Sequence, residues 1–419
     1  MTERLLHFIW QFQYFNQSEL TTSAGEDLQV VFPGSFNTNQ GPDFTNARVR
    51  IGNTIWAGTV ELHLRTSDWN RHRHQEDANY ENVVLHVVWE NDGKVNDLPL
   101  LELQQRVPKI LLDQYGEWMR SASFIPCESS LHLVPALIWT HWKERLIMER
   151  LIRKAGLVEQ YQVQNNNHWE ETFWWMLARN FGLKVNADSF EAVARSIPLR
   201  LLARHKSRIQ QLEAILLGQA GLLDGRFQDD YALLLQREYR FLRGKHNLRS
   251  VPAPMHFLRM RPSNFPSLRL AQLAMLVHQS GHLFSRIREA ASVEQVRALL
   301  DVTANDYWHY HYRLDQYSPF RVKKLGKDMI DNILINTVAP VLFAYGRYQQ
   351  EDGLMQRVLE WLEQIPPEGN RIIARYARLG VVNRSAWDSQ SLLELYSAYC
   401  QPRKCLECAI GAAILGRIQ

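Results

Sequence analysis

Asp43, Glu61 and His63 are the residues whose types and spacing best suit chemistry. Asp43 stands in Gly41-Pro42-Asp43-Phe44, and Glu61 and His63 stand in Val60-Glu61-Leu62-His63. Residues two apart on a strand point to one face, so Glu61 and His63 share a surface. The stretch between the two groups, Thr45 to Thr59, has the pattern of a strand, a tight Gly52-Asn53 turn and a second strand. Folding at that turn draws Asp43 towards Glu61. Two carboxylates converging beside an imidazole are what a divalent ion and a hydrolytic water require: Asp43 and Glu61 as metal ligands, His63 to orient or deprotonate the water.

The flanking elements must hold that hairpin in place. Residues 3–14 read as an amphipathic helix with Leu5, Leu6, Ile9, Trp10 and Phe12 apolar, and Leu28 to Phe32 reads as a strand closed by Pro33-Gly34. After His63, Ser67 or Asp68 caps a short helix. Asn82 to Glu90 is then a near-continuous apolar run, as expected of a strand buried on both faces, and a last strand is expected around Leu98 to Leu103. If residues 70–80 are helical, His74 and Asp77 share a face and assist at the centre, while His72 points elsewhere into solvent. His86, inside the apolar strand, is expected to be satisfied by a neighbouring backbone group.

Pro42-Asp43, a hairpin and Glu61-Leu62-His63 together resemble the PD-(D/E)XK nuclease superfamily. His63 stands where that family usually has Lys. The resemblance implies a restriction-endonuclease-like sheet and a metal-dependent nucleic-acid phosphodiesterase using Mg²⁺ or Mn²⁺. In that superfamily a first helix often supplies a further carboxylate, for which Glu3 is the candidate inside the helix and Glu19 and Glu26 are loop alternatives, none of them singled out. Over its whole length the chain resembles an uncharacterised bacterial domain-of-unknown-function family. The stretches carrying that likeness are Gly41 to Phe44, Gly58 to His63 with Ser67-Asp68-Trp69, Arg261 to Pro266, and Tyr399-Cys400 to Cys408.

From about residue 105 a period near 3.6 replaces alternation. Helices are expected over 108–120, 134–155, 168–181, 189–196, 199–217, 228–243, 267–280, 292–300, 327–348 and 352–364, with shorter ones near 370–377, 389–398 and 405–416 and breaks at Pro198, Pro252 and Pro366-Pro367. The expected fold class is therefore α+β: a nuclease-like mixed sheet with flanking helices over 1–115, then a large all-α domain over 116–419. Within the helical part, Arg259 to Arg269 forms a basic elbow around Pro262 and Pro266, whose arginines are expected to pair with carboxylates. Tyr307 to Tyr312 is expected to be core with two histidines at its edge.

The chain has 419 residues, a formal net charge of +4 and 46% hydrophobic residues, the profile of a packed globular protein. Its charge is divided unevenly: residues 1–115 carry 9 Lys+Arg against 15 Asp+Glu, leaving 39 against 29 in the rest. An acidic module joined to a basic one suits a polyanionic partner, DNA or RNA. No secretory signal pattern and no membrane-length apolar run are read, so a cytoplasmic protein without a membrane partner is expected. In that compartment its four cysteines serve as thiols or metal ligands. Cys400, Cys405 and Cys408 form a C-x4-C-x2-C cluster which, with Cys127, can make one four-thiolate site for Zn²⁺ or an iron–sulfur cluster. The rival to an enzyme is a non-catalytic nucleic-acid or protein-binding module on a degenerate nuclease fold.

Overall fold

Alternation of apolar and polar residues builds the sheet. In the computed structural model, which describes every residue except 250, 252, 418 and 419, six strands form one mixed sheet. These are β1 (Leu28–Phe32), β2 (Ser35–Phe36), β3 (Phe44–Ile51), β4 (Thr54–Arg65), β5 (Val83–Glu90) and β6 (Leu100–Glu102). The order is β1-β3-β4-β5-β6, with β2 also paired to β3. Along β3, Ala47, Val49 and Ile51 are buried while Arg48 and Arg50 are exposed, as a sheet with one wet face requires. The turn between β3 and β4 lies at Gly52-Asn53, where Gly52 has φ +56°. That is a left-handed conformation which glycine adopts without steric cost.

The two neighbours of β4 differ in direction. β3 pairs with it antiparallel, and β5 pairs with it parallel, with Glu61 opposite His86 and His63 opposite Val88. A parallel pair cannot be closed by a tight turn, so residues 66–82 must cross back over the sheet. Helix α1 (Glu3–Gln11) packs on β4. Thr2 caps it by accepting from Leu5 N–H, and Leu5, Leu6, Phe8, Ile9 and Trp10 are buried beneath it. Each such side chain contributes about 1.5–3 kcal/mol of apolar burial. Trp10 Nε1 donates to Pro33 O at 3.0 Å, which holds the helix to the end of β1. The expected α+β class is what the chain adopts.

The chain forms two compact units, and they do not part at residue 115. One comprises residues 1–142 with 395–419, the other 143–394. The carboxyl-terminal segment belongs with the sheet because Ala409–Leu415 packs on α3 (Lys109–Arg120) and on the 3-10 turn Glu128–Leu133, while Arg403 donates to the carbonyls of Trp118 and Ser121. Contacts so distant in sequence leave no local pattern.

The second unit is helical around Trp169–Phe181, where Thr172, Phe173, Trp174, Leu177 and Phe181 are buried. Three differences from the expected helices have physical causes. The segment 199–217 is two helices, Leu199–Arg204 and Ile209–Gln219, parted where His205 turns inward to bond Gln211 and His246. The segment 327–348 contains a π-helical stretch, Leu334–Val338, between Lys327–Ile333 and Ala339–Gln349. Pro340 lacks an N–H and its ring would press on the carbonyl of Asn336, so the widened turn relieves that clash. A small hairpin, His311–Arg313 with Gln316–Tyr317, stands where no strand was expected. The stretch Lys327–Gln349 is apolar enough to cross a bilayer by composition, yet 83% of its apolar window is buried inside the chain. The break expected at Pro252 lies outside the described residues.

The basic elbow also differs. Buried Arg269 bonds the amide oxygens of Gln272 and Asn264, and Arg313 lies over the rings of Phe257 and Phe265. No carboxylate takes either role among the described residues. Of the run expected to be core, Trp308 is buried, but Tyr310 is 40% exposed and Tyr307 and Tyr312 are half-buried. Trp308 Nε1 donates to Glu213 Oε2 at 3.0 Å, and Tyr231 and Asn305 donate to the same carboxylate at 2.9 and 2.8 Å.

Burial pushes the Glu213 carboxyl up to about 8. A folded-state value above the unfolded one means that folding takes up a proton between pH 4.5 and about 8. Stability contributed by the protonated group is therefore full below pH 4.5 and lost as pH rises. Urea denaturation of wild type should show a lower midpoint at pH 8 than at pH 5, by a free energy on the order of a few kcal/mol. Glu213→Gln should flatten that difference, and equal pH dependence in the two proteins would refute the assignment. Glu213→Ala should destabilise by about 3 kcal/mol or more at either pH, because three buried donors lose their acceptor.

Candidate metal centre

The β3–β4 hairpin brings Asp43 and Glu61 together through the backbone. Glu61 Oε2 accepts the backbone N–H of Asp43 at 3.1 Å, and Asp43 Oδ2 accepts the backbone N–H of Leu62 at 3.0 Å. The two carboxylates thus supply hydrogen bonds at the end of the hairpin where its register shifts, between Phe44 and Ala47. Asp43 Oδ2 also meets Nε2 of His7 at 3.1 Å. His7 is one helical turn beyond Glu3, so both residues lie on the site-facing side of α1. Glu3 is close enough to act electrostatically on Glu61.

Four histidines gather on the other side of Glu61. His63 Nε2 lies 3.2 Å from His72 Nδ1 and 3.2 Å from His74 Nε2. Glu61 Oε1 lies 3.5 Å from His63 Nε2 and 3.3 Å from His74 Nε2. Behind them, His63 Nδ1 meets His86 Nε2 at 2.9 Å. Trp69 closes one wall with its ring edge against His63, His74 and Tyr80, and Tyr80 stacks on His74 with centroids 3.9 Å apart.

The crossover explains how the histidines meet. Residues 70–80 are not one helix: α2 (Asp68–Arg71) ends, Arg73 takes φ +60°, and 3-10 turns follow at His74–Glu76 and Ala78–Tyr80. The left-handed residue reverses the chain between His72 and His74, so both reach His63. The helical expectation, which sent His72 outward and paired His74 with Asp77, does not hold. The Asp77 carboxylate caps the second turn, accepting from Asn79 N–H and Asn79 Nδ2 at 2.9 and 2.8 Å. His86 is satisfied by His63 and not by a backbone group, and its Nδ1 is buried without a partner.

Electrostatics keep His63, His74 and His86 neutral. Burial, reinforced by His86, His74 and His72, drives His63 down to about 2, and burial with His74 drives His86 down to about 4. His74 is lowered by burial and then by His72. Burial, and secondarily Asp43, pushes Glu61 up to about 9. Neutral imidazoles offer lone pairs, but the hydrogens between them are too few. His63 Nε2 carries at most one hydrogen and faces two nitrogens and a carboxylate oxygen. Donors held about 2.1 Å from one ion at tetrahedral to octahedral angles lie about 3.0–3.4 Å apart. The observed separations of 3.2 to 3.5 Å match that spacing. Among the described residues, His63, His72 and His74 are the group of three whose ligand atoms lie within 4.8 Å of one another.

The four cysteines occupy the same unit. Cys127, Cys400, Cys405 and Cys408 are all buried, and none is in a disulfide. Cys127 ends the loop before Glu128–Leu133, and Cys408 caps Ala409–Leu415. Burial raises the Cys127 thiol, with Cys400, Cys408 and Cys405 adding to the effect, so the other three stand near it. Burial also pushes Cys405 and Cys408 up to about 12 and about 11. A side chain at Gly411 would strike the Cys405 carbonyl at 2.2 Å, so a glycine is what lets the C-x2-C turn close.

His7 is the site residue that sequence reasoning passed over, while in the sequence His72 reads as solvated and His86 as a core histidine. Glu3 and His7 at helical spacing, facing a hairpin rich in ligands, carried a readable signal. Arg73 turning left-handed did not.

Two outcomes follow. Titration calorimetry with Mn²⁺ should give one tight site per chain, weakened at least tenfold by His72→Ala with His74→Ala and about 10–100-fold by His86→Ala, which removes only the orienting contact. Unchanged binding in the double variant would exclude this centre. Thiol labelling with a disulfide reagent should be slow in the native protein and reach four thiols per chain in denaturant, since all four are buried and the raised pKa of Cys127, Cys405 and Cys408 suppresses their thiolates.

No curated protein and no solved structure matches the chain. A family model described as Protein of unknown function (DUF2851) matches residues 3–371, which hold α1, the whole sheet and all the histidines of the centre. Cys400, Cys405 and Cys408 follow the matched region. The chain belongs to the DUF2851 family.

Proposed function

We propose that the chain is a metal-dependent nucleic-acid phosphodiesterase centred on Glu61. The observation that carries this reading is the convergence of His63, His72 and His74 at metal-ligand spacing, with Glu61 Oε1 3.5 Å from His63 and 3.3 Å from His74 and a second carboxylate nearby. Helix α1, antiparallel β1, β3 and β4, a crossover and parallel β5 follow the order implied by the PD-(D/E)XK resemblance, which supports the same reading.

The residues divide the work. Glu61, His63, His72 and His74 would hold the ion, and their mixed imidazole–carboxylate character suits Mn²⁺, Zn²⁺ or Fe²⁺ better than the all-oxygen preference of Mg²⁺. A bound ion supplies Lewis acidity towards a phosphoryl oxygen and lowers the pKa of water. His63 is fully buried, so it serves as a ligand with its ring fixed by His86. His7 is half-buried with Nε2 3.1 Å from Asp43 Oδ2, and this pair would take the water proton. The cysteines would form a separate structural centre for Zn²⁺ or an iron–sulfur cluster.

Incubation of labelled single- and double-stranded DNA and RNA with Mn²⁺, Zn²⁺ or Mg²⁺ tests the reading. Wild type should give metal-dependent products, with the Mn²⁺ or Zn²⁺ rate above that with Mg²⁺. Glu61→Gln should lower the rate at least a hundredfold, and His7→Asn should lower it about 10²–10⁴-fold with metal affinity unchanged. No products from wild type with any metal across the panel would leave a binding module as the better account.

A further inference from the structure

The helical unit carries arginines of two kinds. Arg150 and Arg153 pair with Glu394, Arg179 with Asp188 and Glu191, Arg195 with Glu191, and Arg297 with Asp331. By contrast Arg200, Arg204, Arg208, Arg243, Lys245 and Arg249 have no ion-pair partner among the described residues, and all six are exposed.

Three of these cations, Arg200, Arg204 and Arg249, meet at one place. A cleft of about 620 Å³ is lined by Arg200, Arg204, His246 and Arg249 with the small or apolar residues between them, and no carboxylate lines it. Proximity shows in His246, which is lowered by burial, then by His205, Lys245 and Arg204. Arg243 and Lys245 also complement the carboxyl end of Asp230–His246. That end does not account for Arg200, in the first turn of Leu199–Arg204, or for Arg249, beyond the helix. Beside the cations Phe241 is 62% exposed, with Lys245 Nζ 5.8 Å from its ring centroid. An uncovered ring beside one unpaired cation, on the helix whose His246 lines the cleft, offers a stacking platform.

We infer that this face of the helical unit binds single-stranded nucleic acid, with phosphates along the Arg200–Arg204–Arg249 cleft and a base on Phe241. The inference shares the polyanion substrate of the proposed function and is independent of the metal centre.

Fluorescence anisotropy of a labelled dT20 strand and of a 20-base-pair duplex, with the full chain in EDTA, separates binding from cleavage. Wild type should bind the strand, with log K falling linearly against log salt. Arg204→Glu with Arg249→Glu should weaken binding at least tenfold and reduce the salt slope by about 1.4, two phosphate contacts for a single strand. Phe241→Ala should cost about tenfold on dT20 and less on the duplex, where bases stay stacked. Because binding is read in EDTA, where no metal-dependent cleavage can occur, a failed nuclease assay and a failed binding assay remain distinct results. Absence of dT20 binding at 50 mM salt, or unchanged affinity and slope in a double arginine variant that melts like wild type, would overturn the inference. Equal response of strand and duplex to Phe241→Ala would overturn its single-strand part.

Discussion

Everything at the candidate centre depends on β4 being paired antiparallel on one edge and parallel on the other. The antiparallel partner arrives by a two-residue turn and brings Asp43 within reach of Glu61. The parallel partner cannot arrive that way, and the crossover it demands carries His72 and His74 back to the strand they left. One strand therefore gathers ligands from sequence both before and after it. A wholly antiparallel sheet would not need that crossover, and a wholly parallel one would lack the hairpin.

Desolvation shapes the same place. Glu61 and His63 lie among the most buried polar groups of the sheet, enclosed by Trp69 and Tyr80. In such surroundings a lone charge is expensive, and the imidazoles stay neutral while the carboxyl holds its proton. A cation reverses the balance for Glu61 by compensating its charge, and it needs neutral imidazoles. The enclosure that disfavours each ionised side chain singly thus favours the whole group with an ion at its middle. Glu213 shows the other solution in the helical unit: a buried carboxyl surrounded by Trp308, Tyr231 and Asn305 with no cation near it.

The strands were legible because burial on one face imposes a two-residue period, and the Gly52 turn marked where the hairpin reversed. Asp43 beside Glu61 followed from those two facts. The role of His72 was not legible, since it rests on Arg73 adopting a left-handed conformation that no sequence pattern announces. Nor was the placement of the carboxyl-terminal segment beside α3, which depends on contacts nearly three hundred residues apart, such as Arg403 with Trp118. The arginine elbow misled for a related reason: an arginine's partner is set by tertiary packing, and Arg269 found amides in place of carboxylates.

The two oxygens of Glu61 have separate occupations. Oε2 is tethered to the amide of Asp43, and that tether aims Oε1 at the histidines. An amide side chain of the same length has one acceptor, and the backbone N–H claims it. Its NH2 is then turned towards His63 and His74, presenting two hydrogens where the carboxylate presents a lone pair. The closest isostere in shape is therefore the one that inverts the polarity facing the imidazoles, so geometry preserved at this position is chemistry reversed.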